Sequence, residues 1–347
     1  MKDRTLIVRA RAPLRLGLAG GGTDLSPFCD LYGGRVLNAT IDLYAYAHIE
    51  PTLDHGLRFS ARDMQAEFAG SAVPALELEG PLSLHKAVYN RIVRQFCSGR
   101  PLPIHLMTHC DAPPGSGLGS SSTLVVAMIK AFVEFLHLPL GEYDVARLAF
   151  EIERHDVGLS GGRQDQYAAT FGGFNFMEFY ADDRVIVNPL RIKNWILSEL
   201  ESSIVLCSTG VSRSSAAIID EQTRNMREPG SASIDALKRL KDDALAMKEA
   251  VLNGDFAGFV ARMRDSWEAK KLTAHGISTP EIEDLFRRAM DAGARAAKVS
   301  GAGGGGFVMF FVDPSRRMEV IRAISAAGGE VRPCHFTNRG TEGWRID

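Results

Sequence analysis

The stretch PPGSGLGSSST, Pro113–Thr123, sets three glycines and a cluster of hydroxyl side chains directly before the apolar run LVVAMIKAFVEFL. The first N–H groups of a helix have no intrahelical partner, and the helix dipole adds partial positive charge there. A glycine loop ahead of such an end lets backbone wrap closely around a phosphate, and serine hydroxyls can serve a phosphate oxygen or Mg²⁺. The string is not a Walker A loop, which needs a lysine that is absent here. Taken alone, it fits equally well a flexible loop closed by a serine N-cap.

Two further glycine segments change that balance. KVSGAGGGGFVMFF, Lys298–Phe311, reads as strand, glycine run, strand. A simple hairpin needs only two turn residues, so the excess glycine points to a close approach to the backbone. APLRLGLAGGGTDLSPF, Ala12–Phe28, carries Arg15, a glycine run and then Thr23-Asp24.

The chain has 347 residues, 45% of them hydrophobic and 24% charged, with a net charge of −2. That is enough for a large core and favours two domains. Nothing in the charge pattern asks for nucleic acid or an anionic membrane. The five cysteines form no C-x-x-C pair, which argues against a disulfide framework. The first residues lack the apolar stretch of a secretory signal, and no run is long enough to span a bilayer, so the expectation is a soluble cytoplasmic protein.

Local patterns predict strands over 6–13, 35–51 and 102–110, and helices over 83–96, 122–136 and 143–155. Strands follow at 172–180 and 184–190. Residues 231–288 read as nearly continuous helix broken at Asn253-Gly254. Strands then follow at 294–299, 307–312 and finally 330–334. A domain boundary is expected near 185–200, giving units 1–190 and 191–347. His105 and His109 could ligate a metal on a helix, but they fall in a predicted strand with no further ligands nearby. The aromatics Phe174, Phe176 and Phe179 read as sheet core.

Three glycine segments in this order, P-x-R…GGGTD, PPGSGLGSSS and KVSGAGGGG, resemble the GHMP kinase superfamily of ATP-dependent small-molecule kinases. The resemblance runs from residue 12 to residue 307. It implies an α+β fold of two domains, the first like domain 2 of ribosomal protein S5 and the second ferredoxin-like, with a cleft between them. It further implies that Pro114, Gly115, Ser116, Gly117, Leu118, Gly119, Ser120 and Ser121 cradle the ATP phosphates. The string EIERHDVGLSGGRQDQYAA is similar to the family's acidic pattern. By that match Glu153 and Ser121 are Mg²⁺ ligands and Asp165 is the catalytic aspartate, with Arg15 beside it facing the transferred phosphoryl group. Without the resemblance, Glu153 reads as a solvated helix residue, Asp165 as an N-cap and Arg15 as a surface charge.

The first motif, with STGVSRSS (Ser208–Ser215), resembles the heptose kinase branch of the superfamily. That implies ATP and a sugar phosphate as substrates. The γ-phosphoryl would pass to the anomeric hydroxyl of D-glycero-D-manno-heptose 7-phosphate, on the way to a GDP-activated heptose for surface glycans. Gly21, Gly22, Thr23, Asp24, Gly303 and Gly304 are then expected at the sugar. Thr209, Ser212 and Arg213, at a predicted helix start, are candidates for the sugar's own phosphate, with Lys270 and Lys271 as others. An ordinary N-cap with a surface arginine explains that string equally well. The alternatives are a kinase of an unphosphorylated sugar such as fucose, and a non-catalytic sugar and ATP sensor. A homo-oligomer is compatible with the sequence.

Overall fold

The computed structural model describes residues 6–210, 215–228 and 231–346. The first half runs β1 (Ile7–Ala19), α1 (Phe28–Tyr32), β2 (Gly34–Pro51), β3 (Gly56–Ala61), β4 (Ala66–Ser71), α2 (Ser83–Phe96) and β5 (Ile104–Cys110). It continues through α3 (Ser120–Leu136), α4 (Glu142–Glu151), α5 (Gln164–Phe171), β6 (Phe174–Phe179) and β7 (Val185–Pro189). The second half has α6 (Asn194–Ser203), β8 (Ile204–Ser208), α7 (Ser215–Met226), α8 (Ala232–Asn253), α9 (Phe256–Lys271) and α10 (Pro280–Asp291). It closes with β9 (Ala294–Val299), β10 (Phe307–Val312), α11 (Arg317–Ala326), β11 (Glu330–Arg332) and β12 (Glu342–Ile346).

β2 is the spine of the larger sheet, whose order is β12-β1-β2-β5-β3-β4. Its first six residues pair with β6 and its last seven with β5, while β1 runs antiparallel along its other side. β1 breaks register between Pro13 and Arg15, which re-aims the side chains beyond the bulge. α3 packs across β1 and β2, burying Val125, Val126, Ile129 and Phe132.

The smaller sheet has the order β11-β8-β10-β9, all antiparallel. Numbered by sequence within this unit, the order is 4-1-3-2 with helical crossovers, which is the ferredoxin-like arrangement expected. The unbroken apolar string of β10 is explained by burial on both faces. Phe307, Met309 and Phe311 join the main core, and Val308, Phe310 and Val312 join a second cluster under α10 and α11. The main core therefore runs continuously from the large sheet to one face of the small one.

Two expectations need correction, and one hairpin was not expected. The strand near 330–334 is not the last: β12 returns to the large sheet and pairs with β1, Ile7 opposite Ile346. Its five residues have no strong pattern of their own and are held by the free edge of β1. The β3–β4 hairpin was not read from the sequence, because β4 is mostly exposed and weakly patterned. The helix expected over 143–155 changes to a π-helical turn at Ile152–Asp156. Such turns admit an extra residue and rotate the side chains that follow.

Candidate active site

The three glycine segments meet at Arg15, which is 3% exposed. Its Nε and Nη2 lie 2.8 and 2.7 Å from Asp165 Oδ1. Nη1 donates to the carbonyl of Gly117 at 2.6 Å and lies 3.4 Å from Ser300 Oγ. Its backbone N–H donates to Leu118 O. One guanidinium thus ties β1, the loop before α3, the loop after β9 and the first turn of α5. Arg15 is a buried hub rather than a surface charge. Asp165 sits one residue inside α5, so it is not the N-cap.

The glycine loops also dock on each other. Gly117 has φ +76°, and a Cβ there would stand 2.4 Å from Ser300 O. A Cβ on Gly306 would stand 2.3 Å from Ser116 O, which accepts the Phe307 N–H. Part of the glycine excess is therefore explained by backbone packed on backbone between the two halves of the chain. The segment also reaches the cleft, through Gly301 and Ala302.

A cavity of about 470 Å³ opens at this junction. Pro114, Gly115, Gly117, Gly119, Ser120 and Ser121 line one wall. Ser116 and Leu118, expected with them, turn into the protein and are buried. α3 begins after Gly119 without a side-chain cap, and its first intrahelical bond is Thr123 N–H to Gly119 O. The N–H groups of Ser120, Ser121 and Ser122 precede that bond at the cavity wall.

Ser121 Oγ donates to Glu153 Oε1 at 2.9 Å. Glu153 is 1% exposed, and its Oε2 accepts from Gln166 Nε2 at 2.6 Å. The π turn carries Glu153 to this position, between α3 and α5. An octahedron with Mg²⁺–O bonds of 2.0–2.1 Å has edges of about 2.9 Å. The Ser121–Glu153 oxygen separation therefore fits two adjacent Mg²⁺ ligands. No group of three His, Cys, Asp or Glu side chains suited to a metal occurs among the described residues. The donor set suits an ion whose remaining ligands are phosphate and water.

Asp24, expected at the sugar, has both oxygens engaged with backbone. Oδ2 accepts the N–H groups of Arg163 and Gln164, at 2.9 and 3.1 Å, and Oδ1 accepts that of Gly22. It caps α5 from 139 residues away and thereby positions Asp165. Asp24 and Gly22 still line the cavity. Thr23 is fully buried and bonded to the backbone of Gly20 and Arg35, away from the cavity. Lys270 Nζ donates to Gly21 O at 3.0 Å. Gly303 and Gly304, expected at the sugar, do not line the cavity; Gly304 donates to Ile277 O, and a Cβ on Gly303 would stand 2.9 Å from that same oxygen.

Thr209 lies beyond the glycine segment, its hydroxyl 3.0 Å from Gly306 O, and is outside the cavity. Ser212 and Arg213 lie outside the described residues. Of the two lysines considered, Lys270 lines the cavity, whereas Lys271 pairs with Glu268 and Glu283. His105 and His109 lie on β5 and contact Ser60 and Asp111 respectively.

Lys298 was missed. Its ammonium donates to the carbonyls of Gly17 and Leu18 at 2.9 and 2.8 Å. Burial, then the neighbouring Lys270 and Arg15 charges, pushes it down to about 7. Burial likewise pushes Lys270 down to about 8, opposed by Asp24. The available signal was a lone lysine inside the small-residue strand ARAAKV.

Residues 83–173 match the profile of the GHMP kinases N terminal domain, and residues 247–330 that of the GHMP kinases C terminal domain. The chain is 48% identical over 339 residues to a D-glycero-alpha-D-manno-heptose 7-phosphate kinase of Campylobacter jejuni, covering 98% of this chain and 99% of that one. It superposes with a TM-score of 0.83 on a D-glycero-D-manno-heptose 1-phosphate kinase from Bacteroides thetaiotaomicron. That protein is 46% identical, with 98% and 99% of the two chains covered. A putative sugar kinase from Campylobacter jejuni superposes with a TM-score of 0.82 at 48% identity, covering 98% of each chain.

Proposed function

The chain belongs to the GHMP kinase family, and from that premise we propose that it phosphorylates D-glycero-D-manno-heptose 7-phosphate at the anomeric hydroxyl. ATP is the donor, and the 1,7-bisphosphate and ADP are the products. The observation that carries the acceptor is the 48% identity to the Campylobacter kinase across nearly the whole of both chains. The Arg15–Asp165 pair beside an uncapped helix start supports phosphoryl transfer.

Asp165 Oδ2, the oxygen not engaged by Arg15, receives or orients the proton of the attacking hydroxyl. Arg15 faces the cavity and neutralises charge on the transferred group. The N–H groups around Gly115–Ser121 hold the donor phosphates. Ser121 and Glu153 would hold Mg²⁺. The ion neutralises phosphate charge when bound. Gln166 fixes the Glu153 carboxylate, so the ligand is set before substrate arrives. The acceptor lies against Gly22 and Asp24. Three of the roughly four lone-pair sites of Asp24 are occupied, which leaves capacity for one sugar hydroxyl.

The test is ADP release from ATP and Mg²⁺ over heptose 7-phosphate, mannose, galactose, L-fucose and mevalonate. Turnover confined to heptose 7-phosphate is expected. Preference for an unphosphorylated sugar overturns the acceptor, and silence with intact ATP binding overturns the enzyme reading in favour of a sensor.

A further inference from the structure

A second cavity of about 660 Å³ opens directly off the first and shares Asp24, Arg154, Ser160 and Ile219 with it. Its remaining wall is basic. Arg154 comes from the π turn, Arg163 immediately precedes α5, and Arg224 and Arg227 lie at and just beyond the end of α7. α7 spans both cavities. Ser215, Ala216 and Gln222 face the first, and Thr223 and Arg224 face the second.

Three carboxylates also face this lobe, and each is engaged. Asp24 accepts three backbone N–H groups, Asp183 pairs with Arg163 at 2.7 Å, and Asp220 accepts from the Ser160 hydroxyl. Arg154 donates to the carbonyls of Leu159 and Gly162, while its buried Nε has no partner. Arg224 and Arg227 are exposed and pair with no carboxylate among the described residues. His155 lies at the same wall, its ring against Phe150.

We infer that this arginine-lined lobe binds the phosphate the acceptor sugar already carries, with Arg224 and Arg227 as its principal ligands and Arg154 at its entrance. The inference rests on the acceptor proposed above. A heptose 7-phosphate has its reacting hydroxyl and its phosphate at opposite ends. The protein offers Asp165 in one cavity and, in the adjoining one, the guanidinium groups of Arg224 and Arg227, which have no carboxylate partner among the described residues. Guanidinium suits a phosphate because its N–H groups match two oxygens at once. Thr209, the one described member of the earlier phosphate candidates Thr209, Ser212 and Arg213, does not line either cavity.

The test is steady-state kinetics of wild type and of R224Q/R227Q, with heptose 7-phosphate and with unphosphorylated heptose. Charge-assisted hydrogen bonds of this kind set the expected rise in the KM for the 7-phosphate at roughly ten- to a hundredfold. The KM for ATP should stay within about twofold, and preference for the phosphorylated sugar should fall by the same factor as the KM rises. R224K/R227K, which keeps charge without the fork, should lie between. If wild type uses the 7-phosphate and the double glutamine variant keeps its KM, the lobe is overturned and the acceptor stands. If wild type shows no advantage for the phosphorylated over the free sugar, both are overturned.

Discussion

Arg15 places two of its nitrogens on one oxygen of Asp165, at 2.8 and 2.7 Å, and leaves the other carboxylate oxygen without a hydrogen-bond partner among the described residues. The arginine is nearly inaccessible, whereas the aspartate keeps 22% side-chain exposure at the cavity. The pair therefore divides its work. Arg15 fixes the orientation of Asp165, and the free oxygen faces the space where an acceptor hydroxyl would lie.

Asp165→Asn keeps an oxygen for Arg15 but loses the proton acceptor. Turnover should fall by about 10²- to 10⁴-fold, the usual contribution of such a group, with the thermal midpoint near that of wild type. Asp165→Ala should additionally destabilise by about 3 kcal/mol, because it strands a buried cation. Full activity of the asparagine variant, measured by ADP release, removes Asp165 from the mechanism.

Glu153→Gln replaces a charged oxygen ligand with a neutral one while keeping the shape that Gln166 and Ser121 contact. The Mg²⁺ concentration for half-maximal rate should rise at least tenfold, the low end of what a disturbed metal shell costs. Ser121→Ala should shift it in the same direction. A Mg²⁺ titration that overlays wild type excludes this pair as the metal site.

Gly117→Ala forces a Cβ against Ser300 O in a left-handed backbone conformation. The two loops must separate or the backbone must shift, at about 1–3 kcal/mol. Both the unfolding midpoint and the affinity for ATP should drop, because the same loop packs on Ser300 and lines the cavity. Calorimetry that shows no loss of stability refutes the docking of the loops.

Lys298 and Lys270 give stability a pH dependence. Lysines in the unfolded chain titrate near 10.4, and burial lowers these two to about 7 and about 8 in the folded protein. Across that interval the unfolded state binds more protons, so these groups make stability rise with pH. Above about pH 8.5 the buried cysteines act in the opposite direction. Burial pushes the thiols of Cys29, Cys110, Cys207 and Cys334 up to about 12, while unfolded cysteines ionise near 8.5. Between about pH 7 and pH 8.5 the lysine contribution to urea stability should therefore be upward, and Lys298→Met should reduce that slope. Equal slopes in the two proteins refute it.

Much of this molecule was legible in one dimension. The helix over 83–96 is complete in its apolar spacing, and the break at Asn253-Gly254 is a left-handed glycine at a helix end. β10 announces burial on both faces by having no polar residue at all. Arg15, Ser121, Glu153 and Asp165 could be picked out as candidates because short motifs keep their spacing along the chain.

What the sequence by itself determined was period, punctuation and motif, since each depends on backbone conformations only a few residues long. Only the tertiary structure decided that Asp24 caps α5, that Gly117 rests on Ser300, that Lys298 reaches under Gly17, and that β12 closes the first sheet. Those contacts join residues from 139 to more than 300 positions apart. No local propensity encodes such partners. They form because buried N–H groups, carbonyls and ammonium groups must find mates wherever the packed core brings them.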